Sequence, residues 1–376
     1  MKRYLLTPGP TPVPTEALQA MAKPIIHHRT PQFVAILKEV NENLKYVFQT
    51  QNDVITFTSS GTGAMQASIT NFLSKGDKAI VVDGGKFGER WTEICKAYGV
   101  NPFVIKVQYG NAVNPKDIEK ALSENKDAKA VYTTMTETST GVNIDLKAIG
   151  EIVAKTDAIL VADAISALGA AVLKTDEWKV DIVVSGSQKG LMIPPGLAFM
   201  SVSKKAYALA EKATLPEYYF NLKAAKKALE GNDTPWTPAI NLIIALNETL
   251  KLIKNQGIEN LWARYKKLAD ATRAAVKAMG LELFSTAPSD AVTAVKVPAG
   301  IDGEKLVKTM RDEYGITIAG GQSEMKGKVF RVAHMGDIEE FDIIVGISCL
   351  EIVLSKMGYK FQLGSGVKGA EEVFLK

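Results

Sequence analysis

The chain has almost none of the residues that bind metals or staple small folds. Among its 376 residues are two cysteines, Cys95 and Cys349, and three histidines, His27, His28 and His334. Two cysteines exclude a disulfide framework. The histidines, with no Cys or Glu at ligand spacing, leave a metal site without candidates. No apolar run reaches the roughly 20 residues that cross a bilayer, and "MKRYLLTPGPTPVP" breaks at Thr7-Pro8-Gly9-Pro10, short of a signal peptide's apolar region. The final "EEVFLK" is not a peroxisomal address. A cytoplasmic protein with no membrane association is expected. Blocks of one charge are missing too: 45 Lys plus Arg stand against 41 Asp plus Glu, and the net +4 is spread without aromatic interleaving. This gives no footprint for nucleic acid, and a small anionic substrate fits it better.

What is present points to a large α/β protein. At 46% hydrophobic, the chain can bury a sizeable core and divide into two domains. From about Asp53, apolar runs that read as strands alternate with helical patterns: "VITFTSS", "KAIVVD", "PFVIKV", "AKAVYTTM", "AILVADAI", "DIVVSGS" and "LAFMSVS". This order predicts a mainly parallel sheet between helices, with ligands outside the carboxyl ends of its strands. "SSGTGAM", "TETSTG" and "SGSQKG" each follow a predicted strand and would converge on that edge. A long helical stretch is expected from about Thr237 to Met279. Beyond it, short strands ("LELFS", "AVTAVKVP", "ITIAGG", "VFRVAHMG") mix with helices near Gly303–Tyr314 and Ile338–Met357, as in a smaller α+β domain. "PGPTPVP" is too proline-rich for regular structure and is expected against the domain junction.

Each chemically suggestive residue has a plain alternative. Lys189, in "DIVVSGSQKGLMIPPG", is either a surface loop lysine or a desolvated amine able to form a Schiff base. The turn at Gly61 and Gly63, opening a helix at about Ala64, is either a turn and N-cap or a phosphate cradle. It is neither Gly-x-Gly-x-x-Gly nor a Walker loop, because Gln66 holds the third glycine position and no Gly-Lys-Ser/Thr follows. Asp163 is either a turn former or a buried carboxylate that holds a protonated ring nitrogen. Asp163 and Lys189 close consecutive predicted strands, so both would face one pocket. Phe87 is a core aromatic or a stacking ring. Arg331, between Phe330 and Val332, needs a partner: a structural ion pair or a substrate carboxylate would serve.

Taken in order, these segments resemble the class V, fold-type I pyridoxal-phosphate enzymes, and within them the alanine–glyoxylate and serine–glyoxylate (serine–pyruvate) aminotransferases. The likeness runs nearly end to end, through "LLTPGPTPVP", "YVFQTQNDVITFTSSGTGAM", "TETSTGVNIDL", "LVADAISALG", "SGSQKGLMIPPG", "TPWTPAINL" and "GKVFRVAHMGD". It implies an aspartate aminotransferase-like fold: a junction segment over residues 1–22, a large cofactor domain over 23–255 and a small domain over 256–376. It also implies that pyridoxal 5′-phosphate is the cofactor. The Schiff-base lysine then falls on Lys189, the ring-nitrogen partner on Asp163, and the stacking aromatic on Phe87, where relatives often carry tryptophan. Thr62, Gly63, the Ala64 N–H and Gln188 match the phosphate site, Ile165 lies beside the ring, and Thr138 matches the hydroxyl at the phenolic oxygen. Gly9 and Arg331 match the substrate end. A homodimer is implied, with Thr237 reaching the partner's phosphate site and Thr234 standing where some relatives have tyrosine.

The resemblance implies ping-pong amino transfer, with Lys189 shuttling a proton and Arg331 fixing the substrate carboxylate. A desulfurase on the same scaffold needs a mobile nucleophilic cysteine, and both cysteines fall in predicted helices. A small neutral donor with glyoxylate or pyruvate is expected. Phosphoserine or aspartate with 2-oxoglutarate is the alternative, since His27, His28 and Arg29 could favour an anionic side chain.

Overall fold

A computed structural model describes residues 2–376. Seven strands form the central sheet, in the order Asp53–Ser59, Gly196–Val202, Ile182–Gly186, Ile159–Asp163, Ala130–Thr134, Lys78–Asp83 and Asn101–Lys106. Six run parallel, and Gly196–Val202 alone is antiparallel to both neighbours. The inner strands are buried on both faces, so they read as unbroken apolar runs. Alternate residues still divide between two cores. Val131, Leu160, Ala162 and Val183 face helices Pro31–Phe48, Leu146–Val153 and Ile240–Gln256. Tyr132, Ile159, Val161 and Val184 face helices Gly61–Thr70 and Lys86–Ala97. The predicted mainly parallel α/β sheet is therefore present.

Beyond residue 257, a three-stranded antiparallel sheet of Val292–Lys296, Val329–Ala333 and Ala319–Gly320 packs with helices Gly303–Tyr314 and Glu340–Lys356. Asp302 caps the first of these helices through its side chain, and a Glu339/Asp342 capping box opens the second.

Two expectations need correction. The stretch from Thr237 to Met279 is two helices, Ile240–Gln256 and Ile258–Ala278, because Gly257 at φ 85° turns the chain between them. "LELFS" is not a strand. It pairs with its neighbour through a single Leu283–Val295 bridge before Ser285 accepts from the Ala287 N–H and turns the backbone away.

The proline-rich N-terminal segment connects the two sheets. Tyr4–Leu5 pairs with Ile316–Thr317, and the Ala333 N–H donates to the Leu6 carbonyl. On its other side, the Thr11 N–H donates to the Gln188 carbonyl and the Thr11 hydroxyl to the Lys189 carbonyl.

Candidate active site

The carboxyl ends of the parallel strands open onto a cavity of about 200 Å³. The three polar segments singled out in the sequence meet there: Ser60, Gly61 and Thr62 from the first, Thr138 from the second, Gln188 and Lys189 from the third. Asp163, Ile165, Phe87 and Gly9 also line it, whereas Gly63, whose N–H donates to the Ser60 carbonyl, and Ala64 lie behind this lining. The strand-end argument places those on the lining correctly because each of them lies within four residues of a strand's carboxyl end, apart from Gly9, which the N-terminal segment brings in.

Lys189 and Asp163 are a buried amine and a buried carboxylate. Neither has an ion-pair partner among the described residues. The Lys189 Nζ donates to the Pro8 carbonyl and, at 3.3 Å, to the Ser166 hydroxyl. Burial pulls its pKa down to about 8, against the attraction of Asp163. Asp163 Oδ1 accepts from the Ile165 N–H at 2.8 Å, and burial pushes the carboxyl up to about 7. A carboxylate so placed is stabilised by a cation brought against it, as a protonated pyridine nitrogen would be. Gly9 covers the lysine at φ +125°, and a Cβ there would collide with the Lys189 side chain.

The helix Gly61–Thr70 starts with Ser60 extended and making no side-chain cap. Its first turn therefore presents open N–H groups and the positive end of its dipole to the cavity. It begins at Gly61 rather than Ala64, and both glycines are required. A Cβ at Gly61 would run into Ile165, and one at Gly63 into the Ser59 hydroxyl. Gln188 Oε1 is buried without a partner. An unpaired amine, an unpaired carboxylate, an uncapped helix start and an orphaned amide suit an aldehyde-bearing pyridine with a phosphate arm.

Arg331 sits behind the cavity wall rather than on it. Its Nη1 donates to the Thr138 carbonyl at 2.9 Å, while Nε and Nη2 donate to the Gly320 carbonyl at 3.1 and 2.7 Å. It is 4% exposed, and burial draws its pKa down to about 10, opposed by Glu137. Three carbonyl contacts orient the guanidinium but supply no negative charge, so a substrate carboxylate would complete its coordination.

Thr234 and Thr237 do not join the cavity of their own chain. They line a separate surface pocket with Tyr219, Trp236 and Phe57. None of His27, His28 and Arg29 lines the cavity; the two imidazoles stack on each other at 4.5 Å. Both cysteines are buried, which pushes their thiols up to about 12 for Cys95 and about 11 for Cys349.

Three residues went unnoticed in the sequence. Ser166 bonds Thr138 hydroxyl to hydroxyl at 2.6 Å and accepts from Lys189; its place three residues after Asp163 could have revealed it. Glu137 accepts from the backbone N–H groups of Phe87 and Gly88 and from Ser139, so it fixes the start of helix Lys86–Ala97. Nothing in "TETSTG" marks it as buried. Arg90 lines the cavity one helical turn beyond Phe87, a spacing visible in the sequence.

The class V aminotransferase family model matches residues 3–334. The chain belongs to the class V aminotransferases. This enzyme is 44% identical to a protein named the small subunit of a soluble hydrogenase of Synechococcus, over 99% of this chain and 98% of that one. It is 38% identical to the L-aspartate–glyoxylate aminotransferase of Paracoccus denitrificans, covering 98% and 95% of the two chains. The serine–glyoxylate aminotransferase of Methylorubrum extorquens is 35% identical over the same shares. Among solved structures, the ureidoglycine–glyoxylate aminotransferase of Bacillus subtilis superposes with a TM-score of 0.93 at 29% identity, covering 100% and 99%. The enzyme is thus a transaminase of the aspartate aminotransferase-like fold, and its family implies pyridoxal phosphate. Among the described residues, no helix is long and apolar enough to cross a membrane.

Proposed function

We propose that this transaminase moves an amino group from a small amino acid, serine or alanine, to glyoxylate or pyruvate in two ping-pong halves. The observation that carries the reading is the buried Lys189 amine facing the same cavity as the buried Asp163, with Arg331 held behind its wall through Thr138. Pyridoxal phosphate supplies an electron sink for the charge left when a Cα proton is removed. Thr62, Gly63, Ala64 and Gln188 would hold its phosphate, Phe87 and Ile165 would flank its ring, and Thr138, tied to Ser166, would meet its phenolic oxygen. Asp163 would keep the ring nitrogen protonated.

The chain's own contribution is placement and proton handling. A lysine drawn down to about 8 is neutral in a sizeable fraction near physiological pH, so it could accept the Cα proton and return it to the carbon two atoms away, across the amino nitrogen. Arg331 anchors the α-carboxylate and so fixes the direction of the Cα–H bond. Pro8 and Gly9 cover the lysine and limit water.

Glyoxylate is the acceptor in the names of three of these relatives, which supports it here. The aspartate in the name of the 38% identical relative supports a second reading, a dicarboxylic donor. A panel of serine, alanine, aspartate and phosphoserine against glyoxylate, pyruvate and 2-oxoglutarate separates the two. Serine or alanine with glyoxylate or pyruvate is expected to give the highest kcat/KM, and a preference for aspartate or for phosphoserine with 2-oxoglutarate would overturn the choice. In the same assay, Arg331→Ala should raise KM for carboxylate substrates by roughly 10- to 100-fold, the value of a charged hydrogen-bonded contact, while the cofactor stays bound. Recovery of this variant only as apoprotein would count against a substrate role.

The active unit in this reading is a cytoplasmic homodimer. Thr237 lies outside its own chain's cavity, next to the half-exposed stack of Tyr219 and Trp236, where a second copy could bring it to the neighbouring phosphate site.

A further inference from the structure

Arg90 lies three residues after Phe87 on helix Lys86–Ala97, so the two side chains share a face. Its guanidinium carbon is 5.0 Å from the centroid of the Phe87 ring, and its Nη1 donates to the Thr62 hydroxyl at 3.1 Å. The carboxylates on the same helix are engaged elsewhere: Lys86 takes Glu89 at 2.7 Å and Glu93 at 3.8 Å. Among the described residues Arg90 has no carboxylate partner, and it lines the cavity beside the open helix start.

Arginine can only donate, so the Thr62 hydroxyl must accept from it. The hydroxyl's own hydrogen is then free for another acceptor, and a hydroxyl polarised by a cation donates more strongly. Thr62 is exposed to the cavity at the first turn of helix Gly61–Thr70, where the backbone already favours an anion. The Arg90 platform is itself fixed, because Glu137 holds the Phe87 and Gly88 N–H groups at the start of its helix.

We propose that Arg90 is a positioning residue for a phosphate monoester. It turns the Thr62 hydroxyl toward the cofactor's 5′-phosphate, adds a positive charge without a carboxylate partner, and braces the Phe87 ring. The proposal rests on the pyridoxal-phosphate reading of the site. It separates the two arginines by task, with Arg331 for substrate carboxylate and Arg90 for cofactor phosphate.

The test compares binding of pyridoxal 5′-phosphate with that of pyridoxal, which lacks the phosphate, to the full-length apoenzyme by fluorescence titration. Arg90→Met is expected to weaken the phosphorylated ligand by about tenfold and to change the unphosphorylated one by less than about twofold. Thr62→Val should produce a similar phosphate-selective loss, and the double variant should be no worse than the worse single one. Arg90→Lys should recover only part of the loss, because an ammonium cannot both lie over the ring and meet the hydroxyl as a planar fork does. Equal losses for the two ligands would overturn the proposal in favour of ring support alone. So would unchanged affinity for both, or a raised KM for aspartate with cofactor affinity intact. A wild-type protein that binds neither ligand would instead refute the cofactor reading on which the proposal stands.

Discussion

Replacement of Lys189 by alanine is expected to abolish turnover, with a loss of roughly 10³-fold or more, and to remove the visible absorbance of covalently held cofactor. The size reflects the double use proposed for it, as nucleophile and proton carrier. Among the described residues no other amine lines the cavity to take over. The wild-type pH profile gives an independent signature. The buried amine's pKa is lowered to about 8, so the neutral, reactive form dominates above that value and is lost as pH falls through it. The rate at which the apoenzyme captures pyridoxal phosphate, measured across that range, should rise with a midpoint near 8 rather than near the usual lysine value. Retained turnover in the alanine variant would remove the residue from its assigned role.

The second large effect is expected at Asp163. Asparagine keeps an oxygen to accept from the Ile165 N–H, so the turn after strand Ile159–Asp163 should survive. What disappears is the charge that would hold a ring nitrogen protonated. A fall in kcat of roughly 10- to 100-fold is expected, the worth of a charge-assisted hydrogen bond in a buried site. The increase in Tm that saturating cofactor gives the wild type should shrink in parallel. An asparagine variant with full kcat and full cofactor protection would show that Asp163 is only a turn residue.

Much of this site was legible because of one topological fact. A parallel sheet delivers the residues beyond every strand's carboxyl end to the same edge, so Ser60–Thr62, Thr138, Asp163 and Gln188–Lys189 could be grouped from strand order alone. The single helix break at Gly257 and the failure of "LELFS" to form a strand were less accessible. Both depend on where one residue turns the chain, which periodicity does not record. Arg331 was identified by its apolar neighbours, yet its position behind Thr138 depends on a bond between segments far apart in sequence. Glu137 was missed for a similar reason. Its worth lies in accepting N–H groups from residues 87 and 88, and a carboxylate in a Thr/Ser-rich segment looks like a solvated one. Thr237 was expected from the resemblance to serve a second copy, and the pocket that it and Thr234 line is separate from the cavity of their own chain.

The N-terminal segment sets an order of events during synthesis. Leu6, whose carbonyl accepts from Ala333, and Tyr4–Leu5, whose strand partners are Ile316–Thr317, are made long before those partners. The same segment carries Pro8 and Gly9 onto Lys189. The seven-stranded sheet can thus assemble while translation continues, with Thr11 already able to bond Gln188 and Lys189, but the roof over the lysine gains its second anchorage only after strand Val329–Ala333 has emerged, at the entropic cost of a very long loop. A nascent chain stalled before Val329–Ala333 would present a formed sheet and a roof over Lys189 held from one side only.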